Sequence, residues 1–243
     1  KKKDIFLNNF RIKDIDIKLF QQAFYRRIKN EPISKIFNSK SFWKYNFFVN
    51  EDVLDPRPET ELIIEEVLRY YPKKDEPISV LDLCTGSGCL AISIAKEYPN
   101  SNVLATDISN KAIEIAKYNA QKLDCIKKIE FVNCDLLDQI KKFDIIVSNP
   151  PYLSNKDYKN TSDEIKLYEP KEALVASMEG YEYYVKIGKL LPRLLKKNSR
   201  FFVEIGHLQA NKAINIFKLN DINCLKVAKD LQNLDRVLIL NKN

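Results

Sequence analysis

From Ile78 to Leu240 the chain alternates short apolar runs with stretches whose apolar residues recur at helical spacing, and no other feature limits the fold so strongly. Short apolar runs bounded by turn signals read as buried strands. They fall at 78–83, 103–107, 129–133, 143–148 and 200–205, with Leu225–Ala228 and Arg236–Leu240 closing the sheet. Helices are predicted between them at 88–98, 109–121, 180–195 and 208–219. A strand followed by a crossover helix must return to the same edge, so this alternation predicts a doubly wound, mainly parallel α/β sheet.

Four of these strands end in chemistry. Ile78–Leu83 leads into Cys84-Thr85-Gly86-Ser87-Gly88 and then into an apolar helix. Gly86 and Gly88 permit a tight turn and a close approach of backbone to a ligand at a helix start. The next strand ends on Asp107, whose carboxylate can accept both hydroxyls of a ribose. Gly86-x-Gly88-x-x-Ala91 with an acid about 20 residues on also fits a dinucleotide fingerprint. The motif alone therefore reads as an adenosine-type cofactor and leaves NAD open. Asp82, inside the strand ahead of the glycines, is placed to receive the ammonium of S-adenosylmethionine. After the third strand, Asp135 can accept an adenine amino group or serve as a cap or turn residue, and Leu136 can pack on the adenine ring.

The strand 143–148 runs into Ser148-Asn149-Pro150-Pro151-Tyr152. Two prolines cannot continue the ladder, so the strand stops at the carboxyl edge, where ligands of open α/β sheets bind. Asn149 Oδ1 and the Pro150 carbonyl can both accept from one NH2 group, and the Tyr152 ring can stack on the flat group that carries it. An amide nitrogen is a poor nucleophile because its lone pair is delocalised. Holding both N–H bonds points it at an activated methyl and favours pyramidalisation, and alignment of this kind supplies about 7–11 kcal/mol in the best oriented cases. No base is required before transfer. The alternative for the segment by itself is a plain turn. With the glycine turn, it favours a methyltransferase over a dehydrogenase.

Composition removes other classes. The 243 residues suffice for one α/β domain and a small appendage. A single histidine, His207, reads as a helix-start residue and argues against histidine-rich zinc sites and Ser-His-Asp hydrolysis, so no metal is expected. Five scattered cysteines (Cys84, Cys89, Cys125, Cys134, Cys224) make no Cys-x-x-Cys pair and suggest reduced thiols in a cytoplasmic protein. No apolar run approaches the ~20 residues of a membrane span, and no signal peptide is visible. The net charge of +7 suggests attraction to nucleic acid or an RNA-bound partner, but the lysines are spread along the chain without interleaved aromatics.

Ahead of the sheet, Asp16–Ile28 carries apolar residues at helical spacing, and 41–49 alternates like a hairpin. Asp55-Pro56-Arg57-Pro58-Glu59-Thr60 is a rigid link into a helix from Glu61 to Tyr70.

In Asn30-Glu31-Pro32-Ile33, Pro56–Glu61, Leu81–Gly88, Ser148–Tyr152 and Tyr168–Leu174 the chain resembles the HemK/PrmC-type protein-glutamine N5-methyltransferases, which modify peptide chain release factors. The segments occur in the family's order and cover nearly the whole chain. The resemblance implies a class I, Rossmann-like methyltransferase domain over 46–243 using S-adenosylmethionine. Before it, residues 1–45 are an incomplete helical and hairpin segment that recognises the substrate. The implied substrate is the glutamine of a Gly-Gly-Gln loop in a class 1 release factor, with no membrane and no direct nucleic-acid binding. The implied cofactor contacts are Cys84, Thr85, Gly86, Ser87, Gly88, Asp107, Leu136 and Asn149. Substrate contacts run along Asn149, Pro150, Pro151 and Tyr152, joined by Arg57 and Glu169, with Asn149, Pro150 and Tyr152 catalytic. Cys84 stands where the family usually has glycine, so its backbone must tolerate a side chain there, and Asp55 where a hydrophobic residue or proline is common. The competing expectations are a ribosomal-protein glutamine methyltransferase, a nucleic-acid amino-methyltransferase acting on adenine or guanine, and a non-catalytic binding subunit.

Overall fold

Alternation within the strands sorts the core into two layers. The computed structural model describes residues 17–136 and 141–242, so the expected helix start at Asp16 lies outside the described residues. The chain begins with α1 (Ile17–Ile28), α2 (Ile33–Ile36), a hairpin of β1 (Lys40–Phe42) and β2 (Tyr45–Phe47), and α3 (Glu61–Tyr70). Then follow β3 (Ser79–Leu83), α4 (Cys89–Glu97), β4 (Asn102–Asp107), α5 (Asn110–Lys122), β5 (Ile129–Asn133) and β6 (Phe143–Ser148). The second half holds α6 (Asn155–Lys159), α7 (Asp163–Tyr168), α8 (Glu182–Leu194), β7 (Leu195–Glu204), α9 (Ala210–Lys218), β8 (Ile222–Lys229) and β9 (Asp235–Lys242).

The larger sheet has the order β5-β4-β3-β6-β7-β9-β8. Neighbours from β5 to β7 are parallel, and β9 runs antiparallel to β7 and β8. Val80, Val103, Ile145, Phe202 and Ile239 face α3, α4 and the hairpin. Leu81, Leu104, Ile146, Phe201 and Leu238 face α8 and α9. This is the expected class I, Rossmann-like doubly wound sheet. Three-residue strands are marginal on their own. Here Phe42 and Phe47 are 1% and 0% exposed, and each ring contributes about 1.5–3 kcal/mol on burial. The hairpin thus belongs to the main core and crosses the boundary expected at residue 45. No described helix is long and apolar enough to cross a membrane.

The helix expected from Gly180 starts only at Glu182. Met178, Glu179 and Gly180 have φ of 52°, 58° and 91°, which no α-helix continues. A Cβ at Gly180 would meet the Tyr152 carbonyl oxygen at 2.3 Å, so this backbone crossing needs glycine. The helix expected at 208 begins at Ala210, after a turn in which Gly206 N–H donates to Gln209 Oε1. Sequence reading missed α6, although Ser154 and Asp157 form a capping box at its start.

Candidate active site

Strand register assembles the site. Leu83 pairs with Ser148 and with Thr106, and Asp107 with Asn133, so four loops leave the sheet side by side at its carboxyl edge. Ser148 Oγ donates to the Leu83 carbonyl at 2.8 Å, and Thr85 N–H to the Thr106 carbonyl at 2.9 Å, fixing the loops relative to one another.

A cavity opens there, lined by residues of all four loops. Of the expected cofactor set, Cys84, Thr85, Gly86, Ser87, Asp107, Asp135, Leu136 and Asn149 line it. A Cβ added at Gly86 meets no heavy atom within 4 Å, so its backbone faces open space. Cys84 holds φ +61°, the left-handed backbone that glycine would adopt freely. Burial pushes its thiol well above the ordinary range. Asp107 accepts from the Gly86 and Ser109 N–H groups, both at 2.9 Å. Burial pushes its pKa up while these bonds oppose the shift. A carboxylate has about four lone-pair sites, so two remain for ribose hydroxyls. Asp135 pairs with Lys186 at 3.4 Å.

Two residues of the expected cofactor set do not line this cavity. Asp82 is fully buried and does not reach the cavity. Its Oδ2 accepts from Thr85 Oγ1 at 2.6 Å and from Ala91 N–H at 3.1 Å, tying the strand end to the start of α4. Burial raises its pKa to about 7. Gly88, with φ +81°, is likewise outside the lining. A Cβ there would meet Ala116 Cβ and Ile92 Cδ1, both at 3.1 Å, so its smallness lets α4 pack against α5.

A second cavity of about 810 Å³ adjoins the first and is lined by Asn149, Pro150, Tyr152, Leu153, Glu204 and Arg236 among others. Leu54, Arg57, Asn149 and Ala173 line both. Asn149 Nδ2 donates to Thr60 Oγ1 at 3.0 Å, Thr60 donates to Glu204 Oε2 at 2.5 Å, and the Tyr152 hydroxyl donates to Glu204 Oε1 at 3.1 Å. Asn149 Oδ1 and the Pro150 carbonyl have no partner among the described residues. Pro151 lines the first cavity.

Glu169, expected on the substrate, is 7% exposed. It pairs with Arg57 at 2.9 Å and Lys35 at 3.2 Å, and accepts from Asp55 N–H at 3.2 Å. Lys35 also pairs with Asp55 at 3.0 Å, and Asp55 is hydrogen-bonded to Ser34. This network binds the segment before α3 to the loop after β6. His207 is exposed and lines neither cavity.

Thr60 and Glu204 were missed as site residues. In the sequence Thr60 is marked only as part of a helix lead-in. Glu204 carried a signal, being an acid in the otherwise apolar run Phe201-Phe202-Val203-Glu204-Ile205 at a strand's carboxyl end.

The methyltransferase small domain family matches residues 58–176. A release factor glutamine methyltransferase of Thermodesulfovibrio yellowstonii is 38% identical over 221 residues, covering 90% of this chain and 79% of that protein. The chain belongs to the release factor glutamine methyltransferase family. A bifunctional methyltransferase of Rickettsia conorii is 35% identical over 255 residues, covering 95% of this chain and 49% of that protein. The chain spans about half the length of the bifunctional relatives it matches. The ribosomal protein L11 methylase of Lactobacillus delbrueckii subsp. bulgaricus shares the fold, with a TM-score of 0.57 at 24% identity over 78% of this chain and 83% of that one.

Proposed function

We propose that this chain methylates the side-chain amide nitrogen (N5) of the glutamine in the Gly-Gly-Gln loop of a class 1 peptide chain release factor, in the cytoplasm, with S-adenosylmethionine as donor. The supporting observation is Asn149 on the wall between the two cavities, with Nδ2 committed to Thr60 and Oδ1 left to accept. The donor, when bound, supplies a methyl already activated on a sulfonium. Asp107 holds the ribose hydroxyls with its remaining lone pairs. The Cys84–Ser87 loop lines the cofactor, and Asp135 and Leu136 take the adenine. On the other side, Asn149 Oδ1 and the Pro150 carbonyl hold the two N–H bonds of the acceptor amide, and the Tyr152 ring covers its plane. Arg57, anchored on Glu169, borders both cavities and contacts the incoming loop. Residues 1–45 orient the protein substrate and leave the cofactor to the sheet.

The decisive experiment offers labelled S-adenosylmethionine with purified release factor, ribosomal proteins and RNA side by side. Label is expected on the release factor alone and lost when its Gly-Gly-Gln glutamine is replaced. Label on RNA or ribosomal protein alone would overturn the assignment.

A further inference from the structure

We infer that Thr60 and Glu204 are positioning residues that decide which end of the Asn149 side chain the acceptor amide meets, an inference that builds on the function proposed above. An asparagine amide has nearly the same shape when its oxygen and nitrogen are exchanged. In the exchanged orientation it would present NH2 to the substrate NH2, donor against donor. The direction of the hydrogens selects between the two. Glu204, 1% exposed at the end of β7, accepts the Thr60 hydroxyl at 2.5 Å. An ionised carboxylate only accepts, so the Thr60 hydrogen is committed there and Oγ1 has only lone pairs to offer. Asn149 must therefore turn Nδ2 toward Thr60, as it does at 3.0 Å, and Oδ1 is left for the substrate.

The other oxygen of the same carboxylate accepts the Tyr152 hydroxyl at 3.1 Å. One buried carboxylate thus sets both side chains that flank the acceptor. The parts come from distant segments, namely the turn before α3, the loop after β6 and the end of β7; Asn149, Tyr152 and Glu204 line the second cavity, and Thr60 lines the first. Burying a carboxylate is costly unless its oxygens are satisfied. Here both oxygens are used in setting the donor direction at the acceptor site, and Arg236 on the same cavity wall supplies favourable charge.

Thr60→Val keeps the shape and removes the hydroxyl, Thr60→Ser restores it, and Glu204→Gln supplies an NH2 that can reverse the direction. Two readouts are needed. In the protein alone, NMR of the Asn149 side chain, assigned with Asn149→Ala, should show a Nδ2 proton protected from solvent exchange. Thr60→Val should lose that protection and Thr60→Ser keep it. In single-turnover methyl transfer to the release factor, Thr60→Val and Glu204→Gln should lose up to about 100-fold in rate. Binding of S-adenosylhomocysteine should stay within about threefold, as for a contact felt mainly in the transition state, and Thr60→Ser should recover most of the rate. A Thr60→Val rate within about twofold of the parent, a Thr60→Ser variant no better than Thr60→Val, or protection unchanged in Thr60→Val would each overturn the inference. If the parent chain leaves the release factor unmethylated while the exchange pattern holds, the proposed function fails and the positioning geometry stands.

Discussion

Replacing Asn149 separates holding the acceptor from holding the fold. In Asn149→Ala the protein loses one hydrogen bond, the 3.0 Å contact to Thr60. Thr60 keeps its bond to Glu204, so the stability cost is about 1 kcal/mol, small beside the roughly 5–15 kcal/mol of a typical domain. In the mechanism proposed above, the reaction loses one of two preorganised acceptors, a change that typically costs about 2.7–4 kcal/mol, or about 100- to 1000-fold in rate. Asn149→Asp differs in kind. The new carboxylate has no hydrogen for Thr60 and competes with Glu204 for the single hydroxyl hydrogen. Protonating it restores a donor, so transfer by Asn149→Asp should rise as pH falls. The parent should do the opposite. Burial pushes Glu204 above the ordinary carboxylate range, opposed by Thr60, Arg236 and Tyr152, with nearby Glu59 adding to the rise. As pH falls through that raised value, Glu204 gains a hydrogen of its own, the direction imposed on Thr60 is lost, and transfer slows. The assay is single-turnover methyl transfer against pH, with S-adenosylhomocysteine affinity measured at each point. Near-normal turnover by Asn149→Ala, or pH profiles that slope alike in Asn149→Asp and the parent, would refute this reasoning.

The two glycines of the turn should fail differently. Gly86→Ala, at φ +53° with open space around it, should weaken S-adenosylhomocysteine binding in calorimetry more than it lowers Tm. Both substitutions carry left-handed strain of about 1–2 kcal/mol, but Gly88→Ala adds tight contacts with Ala116 and Ile92, so it should lower Tm further. Lys35→Met leaves Asp55 and Glu169 buried without their shared cation and should cost about 3–5 kcal/mol in denaturant unfolding. Asp82 has a folded pKa raised to about 7, so its protonated form favours folding. That contribution is present below the unfolded value of about 3.9 and is lost as pH rises toward 7. Asp82→Asn should flatten the dependence of Tm on pH between these limits, and an unchanged slope would show that another group sets it.

What the sequence made legible followed from local chemistry. Apolar runs marked every strand of the larger sheet, because a two-sided core demands them. The glycine turn, Asp107 and Asn149 were readable because each lies directly at a strand end. The burial of Asp82 and Glu169 was not legible, because an acid inside a motif looks the same whether it faces a ligand or the interior. Only the packing shows Thr85 and Ala91 closing over the first, and Lys35 and Arg57 holding the second. Thr60 could not be recognised because its role depends on Glu204, 144 positions away, and on Asn149, 89 away. The turn at Met178–Gly180 escaped because left-handed backbone at two non-glycine residues has no compositional mark.

The place of β9 in the sheet divides the two cavities between early and late parts of the chain. β9 follows β8 in the chain yet lies between β8 and β7, with Val237 opposite Glu204. The first cavity is lined by residues from Asp52 to Tyr183, all of which precede β7 in the chain. The second cavity, by contrast, needs Glu204 from β7 and Arg236 from β9, so the wall beside Asn149 is built from the last strands the chain supplies.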